Sequence, residues 1–476
     1  MSDAEVTCTH SGSRGGLTER PAWLTLSAID RVPVMARSSM CVLLCLASAC
    51  TTERDVRMVC EPDPEPVFLG ESLGGNHQIG VVGDKMFVAQ GAADFTWWGQ
   101  WVERDTGAPF GEVVYLGLSP SARPAWVPDG SSLLGALTTD LEATEQADAD
   151  ASRIYGIWRV TPTAAERTPL PRETPADCYA CRGGGGYYEG GNSAFRLGER
   201  TLAVTNFALP RCVGPRSDMG LYPAPLTLHV VDLATAQARP VEWASECDLD
   251  GTVQSDASLP WGVTLSDGNI GIFFDVGVRM LPRRYVVVTP EAEVVHGPVV
   301  VGATDREYLT RTIILSGEAT RVGRHVLFVE GDTHEVPCHS IRVIDEDGSN
   351  AHDAPWQLPC GFTSFVRLQA MGEYAAFTYS ETFVTNPEDP TPSDHRFTAT
   401  VTFVLLDEDG QLASEPVVVT PPDATPTSEP SVNPFVSVPS SLWIDGEGSA
   451  LVSYASQGAR PAGLYVRRVG CRAIDP

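Results

Sequence analysis

HQIGVVGDKMFVAQG, residues 77–91, contains two short apolar runs that are separated by a glycine and an aspartate. Runs of this length, bounded by Gly and Asp, are typical of β-strands joined by a tight turn. We therefore predict a strand on each side of Gly83. WVERDTG (101–107) follows, and we interpret it as a third strand that enters a second turn.

The same arrangement of strand, glycine turn and strand recurs along the chain. It surrounds seven glycines, namely Gly83, Gly130, Gly198, Gly268, Gly323, Gly372 and Gly446. A third strand follows each pair, and its equivalent positions, 56 to 72 residues apart, are Val102, Trp158, Val230, Val287, Val343, Leu405 and Val466. Seven such units predict an all-β fold, a seven-bladed β-propeller. The alternative is one or two β-sandwiches, whose strands and turns are also regularly spaced.

The two ends of the repeat region indicate how the ring closes. The seventh unit has no fourth strand after LYVRRVG (464–470), whereas EPVFLG (65–70) precedes the first strand of the first unit. EPVFLG resembles the fourth strands GPVVVG (297–302) and EPVVVT (415–420). We predict that this N-terminal strand completes the last blade.

The first unit resembles a kelch repeat, although the diglycine that follows the second kelch strand is absent. The Gly-His and Trp-Asp signature of WD40 blades is absent as well, so the likeness to both families is that of a degenerate repeat. The resemblance covers residues 65–471 and implies a propeller fold without implying an activity.

A second pattern, MARSSMCVLLCLASAC (35–50), begins at an internal methionine. Arg37, a short apolar stretch and small residues before Cys50 have the order of a secretory signal peptide. The apolar stretch is shorter than the roughly 20 residues that span a membrane. Ala-Ser-Ala before a cysteine resembles the lipobox of bacterial lipoproteins, which implies that Cys50 is lipidated and becomes the mature N-terminus. Thr51 stands where an aspartate would mark inner-membrane retention, so the resemblance implies the outer membrane of the cell envelope.

These observations divide the chain into four regions. We expect residues 1–34 to be a disordered, misassigned upstream extension, 35–49 a signal peptide, 50–64 an acidic, proline-rich tether and 65–471 the propeller. The alternatives for the apolar stretch are an ordinary cleaved signal and a buried strand.

Eight cysteines remain after Cys50 if that residue carries the lipid, and an even number is expected of disulfides in an oxidising compartment. The predicted ring closure places Cys60 beside Cys471, and we predict a disulfide between them. Cys338 and Cys360 flank the third and fourth strands of one unit and form a second predicted pair. The remaining four cysteines pair in one of three ways, and the sequence leaves the choice open for Cys178, Cys181, Cys212 and Cys247.

The long connections between the predicted strands all fall on one edge of the ring. In an up-and-down blade the 1–2 and 3–4 turns lie on one edge, and the 2–3 loops and blade-to-blade crossings lie on the other. Six long segments are of the second kind, at 139–152, 172–192, 208–225, 244–260, 382–395 and 421–434. Because binding residues are concentrated on loops of rigid scaffolds, we expect the partner to bind this long-loop face.

An aromatic cluster in FTWWGQW (95–101) is the strongest sequence indication of recognition. Strand alternation places Trp97 and Trp101 on one side of the strand and Trp98 on the other. An exposed side is expected to stack on a sugar or a peptide group, and the alternative is that all three tryptophans pack between blades.

Asp248, Asp250 and Asp256 offer carboxylate oxygens at the spacing of a calcium loop, and they lie on the expected long-loop face. Calcium is the one cofactor that the sequence suggests. Two further acidic runs, 345–350 and 407–410, fall in predicted hairpin turns, where Asp-Gly is ordinary turn chemistry.

The chain is strongly acidic, with a net charge of −28 and Lys85 as its single lysine. This charge excludes nucleic acid and anionic lipid headgroups as partners. The sequence predicts a monomeric, lipid-anchored, extracytoplasmic propeller that binds a protein or glycan of the cell envelope. Two alternatives remain, a propeller enzyme that acts on a glycan as a hydrolase or lyase, and a structural component of an envelope complex. No pair of acids and no nucleophile identifies catalytic residues.

Overall fold

The computed structural model describes the propeller region in fifteen segments. They are 57–92, 96–118, 125–139, 154–170, 193–208, 226–242, 257–276, 283–302, 318–332, 338–358, 362–384, 397–420, 440–446, 448–456 and 461–474. The strands of these segments form seven antiparallel sheets, which we number as blades in chain order.

The chain starts with two strands that belong to the last blade, β1 (Met58–Pro62) and β2 (Val67–Gly70). Blade 1 consists of β3 (Gly74–Val82), β4 (Lys85–Ala92), β5 (Thr96–Glu103) and β6 (Pro109–Leu118). Blade 2 consists of β7 (Ala125–Asp129), β8 (Ser132–Thr139), β9 (Ile154–Thr161) and β10 (Ala164–Pro169). Blade 3 consists of β11 (Ser193–Leu197), β12 (Arg200–Ala208), β13 (Leu226–Asp232) and β14 (Gln237–Pro240).

Blade 4 consists of β15 (Ala257–Thr264), β16 (Ile270–Val276), β17 (Arg284–Val288) and β18 (Val294–Val300). Blade 5 consists of β19 (Ala319–Val322), β20 (His325–Asp332), β21 (Cys338–Asp345) and β22 (His352–Asp353). Blade 6 consists of β23 (Phe362–Met371), β24 (Tyr374–Val384), β25 (Phe397–Leu406) and β26 (Val417–Val418). Blade 7 consists of β27 (Ser440–Ile444), β28 (Ser449–Ser456) and β29 (Gly463–Ala473), together with β1 and β2.

The buried apolar side chains of the described segments show that the blades form a closed ring. They gather into seven clusters, and each cluster draws its members from two consecutive blades. The cluster with Val102 and Val466, for example, joins blade 7 to blade 1. The seven-bladed propeller is confirmed, and the sandwich alternative is wrong. The seven equivalent third-strand positions are all buried, as expected for the middle of a blade that is covered on both faces.

The glycines of the repeat make the turns between first and second strands. All seven have a positive φ, between 57° and 115°, at Gly83, Gly130, Gly198, Gly268, Gly323, Gly372 and Gly446. A side chain is strained in this left-handed region, which explains why glycine recurs there. The edge of the ring that carries these turns is the short-turn face, and the opposite ends of the strands define the long-loop face.

The N-terminal strands complete blade 7, as predicted. β2 pairs with β29, with Val67 opposite Val466 and Phe68 opposite Tyr465. β1 pairs with the later part of β29, with Met58 opposite Ala473. The fourth strand of this blade is therefore split in two, and both halves precede blade 1 in the chain.

Arg467 holds the bend between the two halves of this strand. Its Nε donates to the carbonyl oxygen of Asp63 at 2.5 Å, and its Nη2 donates to that of Pro64 at 3.1 Å. Its Nη1 donates to the carbonyl oxygen of Val419 in blade 6 at 2.6 Å. One guanidinium thus fastens the bend to the neighbouring blade.

The predicted disulfide between Cys60 and Cys471 is present and spans a sequence separation of 411 residues. The two cysteines are opposite each other in the register of β1 and β29. The Cys471 N–H donates to the carbonyl oxygen of Gly448, in the 1–2 turn of blade 7, at 2.7 Å. The disulfide therefore lies on the short-turn face.

The propeller begins earlier than the sequence indicated. Residues 58–62 were expected to belong to the tether at 50–64, but they form β1. Its ladder partner is the end of β29, which extends to Ala473, and Met58 also forms a parallel bridge with Ser414 of blade 6. A short strand whose pairing partner is more than 400 residues away leaves little local signal.

Candidate functional site: an aromatic strip on blade 1

The structure separates the three tryptophans that the sequence grouped as binding candidates. Trp97 and Trp101 are buried in the cluster between blades 1 and 2, where they pack with Phe87 and Trp126. The Phe87 ring lies 5.3 Å from the Trp101 ring and 5.2 Å from the Trp126 ring, measured between centroids. These two tryptophans are therefore core residues, and the interblade packing alternative applies to them.

Gly99 makes this packing feasible. It lies on the same side of β5 as Trp97 and Trp101, and a Cβ at this position would overlap the Phe87 ring. A glycine inside a strand often marks such a close approach of another group. The spacing Trp-x-Gly-x-Trp in the sequence therefore indicates which side of β5 is buried.

Trp98 points to the opposite side and is exposed, with 38% of its surface accessible. Its ring packs against Tyr115, with 4.8 Å between the ring centroids and an interplanar angle of 57°. The Trp98 Nε1–H donates to Thr96 Oγ1 at 3.1 Å. The ring is therefore held in place by contacts within its own blade.

Two exposed aliphatic side chains extend this surface. Val113 is 56% exposed and precedes Tyr115 by two residues on β6, and Leu73 is 42% exposed just before β3. Gln90, which is opposite Trp98 on β4, fixes the Leu73 segment because its side-chain oxygen accepts from the Leu73 N–H at 3.1 Å. We call Leu73, Trp98, Val113 and Tyr115 the aromatic strip.

The strip lies at the long-loop end of blade 1. β5 starts at that end with Thr96, and Trp98 is its third residue. β6 ends there with Leu118, close to Tyr115. The long loops themselves lie outside the described residues for most of their length, whereas the strip is formed by described residues at that end of blade 1.

Positive charges of blade 1 lie at its other end. The Lys85 ammonium pairs with Glu103 at 2.5 Å, and Arg104 pairs with Asp445 of blade 7 at 2.8 Å. Both pairs lie beside the short turns. The charged neighbours of the strip along the described chain are Glu71 and Glu112, which are exposed carboxylates. The strip itself carries no charge, and its charged neighbours along the described chain are both acidic.

A buried pair of oppositely charged side chains lies between the inner strands of two blades. Arg367 on β23 and Glu318, which precedes β19, are both almost fully buried, with 3.5 Å between Nη1 and Oε1. The other oxygen of Glu318 accepts from the Leu368 N–H at 3.3 Å. Burial lowers the pKa of Arg367, and the charge of Glu318 opposes this shift. This pair joins blade 5 to blade 6 and lies away from the surface, so we interpret it as a structural joint.

The acidic hairpin turns also join neighbouring blades. Glu346 in the 3–4 turn of blade 5 accepts from the N–H and the hydroxyl of Ser266 in blade 4, at 3.0 and 2.5 Å. Glu408 in the corresponding turn of blade 6 accepts from the Arg324 N–H of blade 5 at 3.2 Å. Sequence reasoning explained these turns by their Asp-Gly chemistry and missed the contact that the intervening glutamate makes with the next blade.

Several other predicted site residues lie outside the described segments. These are the calcium candidates Asp248, Asp250 and Asp256, the anchor Cys50, and the cysteines Cys178, Cys181, Cys212, Cys247 and Cys360. Cys338 is the first residue of β21, and its pairing with Cys360 stays a prediction. Within the described segments, no three His, Cys, Asp or Glu side chains converge as they would to hold a metal ion. The same segments contain no helix of the length and apolar character needed to cross a membrane.

Comparison with known proteins gives no family for this chain. No known protein-family profile matches it, and no curated protein matches it by sequence. A crystal structure of a protein of unknown function from Dyadobacter fermentans DSM 18053 is similar to 87% of this chain over 99% of its own, with a TM-score of 0.43 and 9% identity. Hydrazine synthase from Kuenenia stuttgartiensis is similar to 68% of this chain over 76% of its own, with a TM-score of 0.38 and 12% identity. The assignment of the fold rests on the strand order and register described above.

Proposed function

We propose that this protein is a lipid-anchored, extracytoplasmic β-propeller that binds a protein or glycan partner through its long-loop face. The exposed Trp98 ring at that face, packed against the half-buried Tyr115, is the observation that carries the binding function. Tryptophan and tyrosine supply large rigid surfaces at low entropic cost and are enriched where proteins recognise partners. Trp98 presents such a ring to solvent, held in place by contacts within its own blade.

The proposed location is supported by the Cys60–Cys471 disulfide. Structural disulfides persist in oxidising compartments and are rare in the cytosol of most organisms. The signal-like stretch 35–50 and the lipobox-like residues before Cys50 agree with export. We further propose the outer membrane of the cell envelope, a monomeric state and a distant kinship of the repeat with kelch and WD40 blades.

The proposed anchor also favours one orientation. Cys50 precedes Met58, the first residue of β1, by eight residues, which reach at most roughly 28 Å when extended. β1 enters the ring beside the disulfide on the short-turn face. A lipid on Cys50 would keep this face toward the membrane and turn the aromatic strip away from it.

The anchor is tested by feeding cells radiolabelled palmitate and isolating the protein. We expect label in the wild-type protein and none in Cys50→Ala, with equal amounts of both proteins in the cell. Label that persists in Cys50→Ala would contradict the anchor without touching the binding function.

The binding function is tested by capture from detergent-solubilised envelope with the purified chain as bait. We expect Trp98→Ala to lose the partner that the wild-type protein retains. Val295→Ser is the matched control, because Val295 is 54% exposed on the outer strand of blade 4, far from the strip in the ring. Equal capture by all three proteins would count against a role of the strip. New reducing ends released from a glycan by the wild-type protein would favour the enzyme hypothesis instead.

A further inference from the structure

We propose that the aromatic strip binds an uncharged carbohydrate, with a pyranose ring stacked on Trp98 and Tyr115. This inference rests on the proposed function and names the partner of the same site. It goes beyond the exposure of one ring, because three independent features of the strip favour a neutral sugar.

The first feature is the set of polar groups beside the rings. Gln100 lies two residues from Trp98 on the same side of β5 and is half-buried. Within the described segments, neither the Gln100 amide nor the Tyr115 hydroxyl makes a hydrogen bond. The amide offers two donors and an acceptor, and the hydroxyl offers one donor. A sugar presents apolar C–H faces to aromatic rings and hydroxyl groups at its rim, which matches rings bordered by unused amide and hydroxyl groups.

The second feature is the charge around the strip. Glu71 and Glu112 flank it, and the cations Lys85 and Arg104 are held by carboxylates at the short-turn end of the blade. The whole chain carries a net charge of −28. Uronic acids, sulfated sugars and phosphate-bearing glycans would be repelled by these negative charges. The electrostatic potential of the protein therefore favours an uncharged sugar.

The third feature is the size of the strip. Three partly exposed side chains and the half-buried Tyr115 offer a surface of at most a few hundred Å². A stable protein interface usually buries about 1,200–2,000 Å² in total. One or two sugar rings fit the smaller surface, whereas a protein partner would need much more of the face.

The ring geometry adds preorganisation. Thr96 fixes the Trp98 indole through its Nε1–H at 3.1 Å, and Tyr115 supports it from the next strand. A ring that is already immobilised loses little conformational freedom when a ligand stacks on it.

The test is a titration of the purified propeller with soluble oligosaccharides, followed by tryptophan fluorescence and by calorimetry. The probes are neutral glucan, mannan and chitin oligomers, with oligogalacturonate as the charged comparison. We expect saturable binding of at least one neutral series, and no binding of oligogalacturonate at low salt. Trp98→Ala should weaken binding about tenfold or more.

Two conservative variants separate the roles of the neighbouring groups. Tyr115→Phe keeps the ring and removes the hydroxyl, and Gln100→Ala removes the amide, so each should weaken binding while leaving thermal stability unchanged. Val295→Ser should bind as the wild-type protein does.

Each outcome of this test bears on the proposal. Absence of binding to every neutral series, or binding that is unchanged in Trp98→Ala, overturns the carbohydrate inference. If a protein from envelope extracts is nevertheless captured through Trp98, the proposed binding function stands and only its partner class is wrong. If neither glycan nor protein depends on Trp98, both fail.

Discussion

His77 and Ser453 meet at the joint between blades 1 and 7, with a hydrogen bond of 2.9 Å between Nε2 and Oγ. The imidazole is buried, and it lies near the Arg367 guanidinium of blade 6. Burial, and to a lesser extent the positive charge of Arg367, lower the pKa of His77 to about 3. The histidine therefore remains neutral throughout the physiological range and acts as a polar connector of inner strands.

This relationship predicts a loss of stability in acid. The folded-state pKa lies below the ordinary value of 6.5, so the unfolded chain takes up the proton first as the pH falls. The contribution of His77 is complete above about pH 6.5 and decreases toward pH 3, by up to about 1.4 kcal/mol per pH unit. We expect His77→Gln to show a smaller decrease in unfolding free energy between pH 7 and pH 4.5 than the wild-type protein.

Urea unfolding at several pH values measures this difference, and the subtraction of variant from wild type removes the shared contribution of the carboxylates. Parallel pH profiles for the two proteins would show that His77 is protonated equally in the folded and unfolded chains.

The Cys60–Cys471 disulfide predicts a large effect on global stability, because it restricts a very long loop of the unfolded chain. We expect the double variant Cys60→Ser/Cys471→Ser to lose about 3–5 kcal/mol of unfolding free energy. Denaturant unfolding under non-reducing conditions gives the value. Peptide mapping of the native protein provides the control, and a free thiol at Cys471 would contradict the closure described here.

The contact of Glu346 with Ser266 predicts that an acidic turn stabilises the neighbouring blade. We expect Glu346→Ala to lower the unfolding free energy by about 1–3 kcal/mol, the usual range for hydrogen bonds to a charged acceptor. Glu373→Ala is the control, since this exposed glutamate lies in the 1–2 turn of blade 6 and makes no hydrogen bond within the described segments. Equal stabilities of the two variants would contradict the interblade role.

The buried Arg367–Glu318 pair predicts strong coupling between its members. Glu318→Leu leaves a buried cation without its main countercharge and should cost about 3–5 kcal/mol. The double variant Glu318→Leu/Arg367→Met should be more stable than Glu318→Leu, because no unpaired charge then stays inside. Arg472→Met, at an exposed pair with Glu61, should leave stability unchanged. Additive effects of the two buried substitutions would show that the pair is not coupled.

The sequence carries the fold because each blade is specified locally. The apolar runs, the glycine at each 1–2 turn and the regular spacing are properties of neighbouring residues, and they predicted seven blades. Closure was also predictable, because EPVFLG resembles the fourth strands of other units and an unpaired third strand was left at the other end. β1 was missed because its partners, the end of β29 and Ser414, are distant in the sequence.

The candidate site was predictable in part. Alternation correctly placed Trp98 on the side opposite to Trp97 and Trp101, but it does not tell which side a neighbouring blade covers. That depends on how Phe87 and Trp126 fill the space between blades 1 and 2. The contacts of Arg367, Glu318 and His77 join residues of different blades. The periodicity of a single sequence describes neighbouring residues and therefore does not reveal such long-range contacts.

The split fourth strand of blade 7 has a consequence for the timing of folding. β1 and β2 are synthesised before every other strand of the propeller, and their partner β29 is synthesised last. Until β29 is synthesised, the ring cannot close and the first two strands lack this partner. For an exported chain, the end that carries the proposed lipid would cross the membrane long before the ring could close. Attachment would thus come first and closure last, and the final blade would be completed only after the whole propeller had emerged.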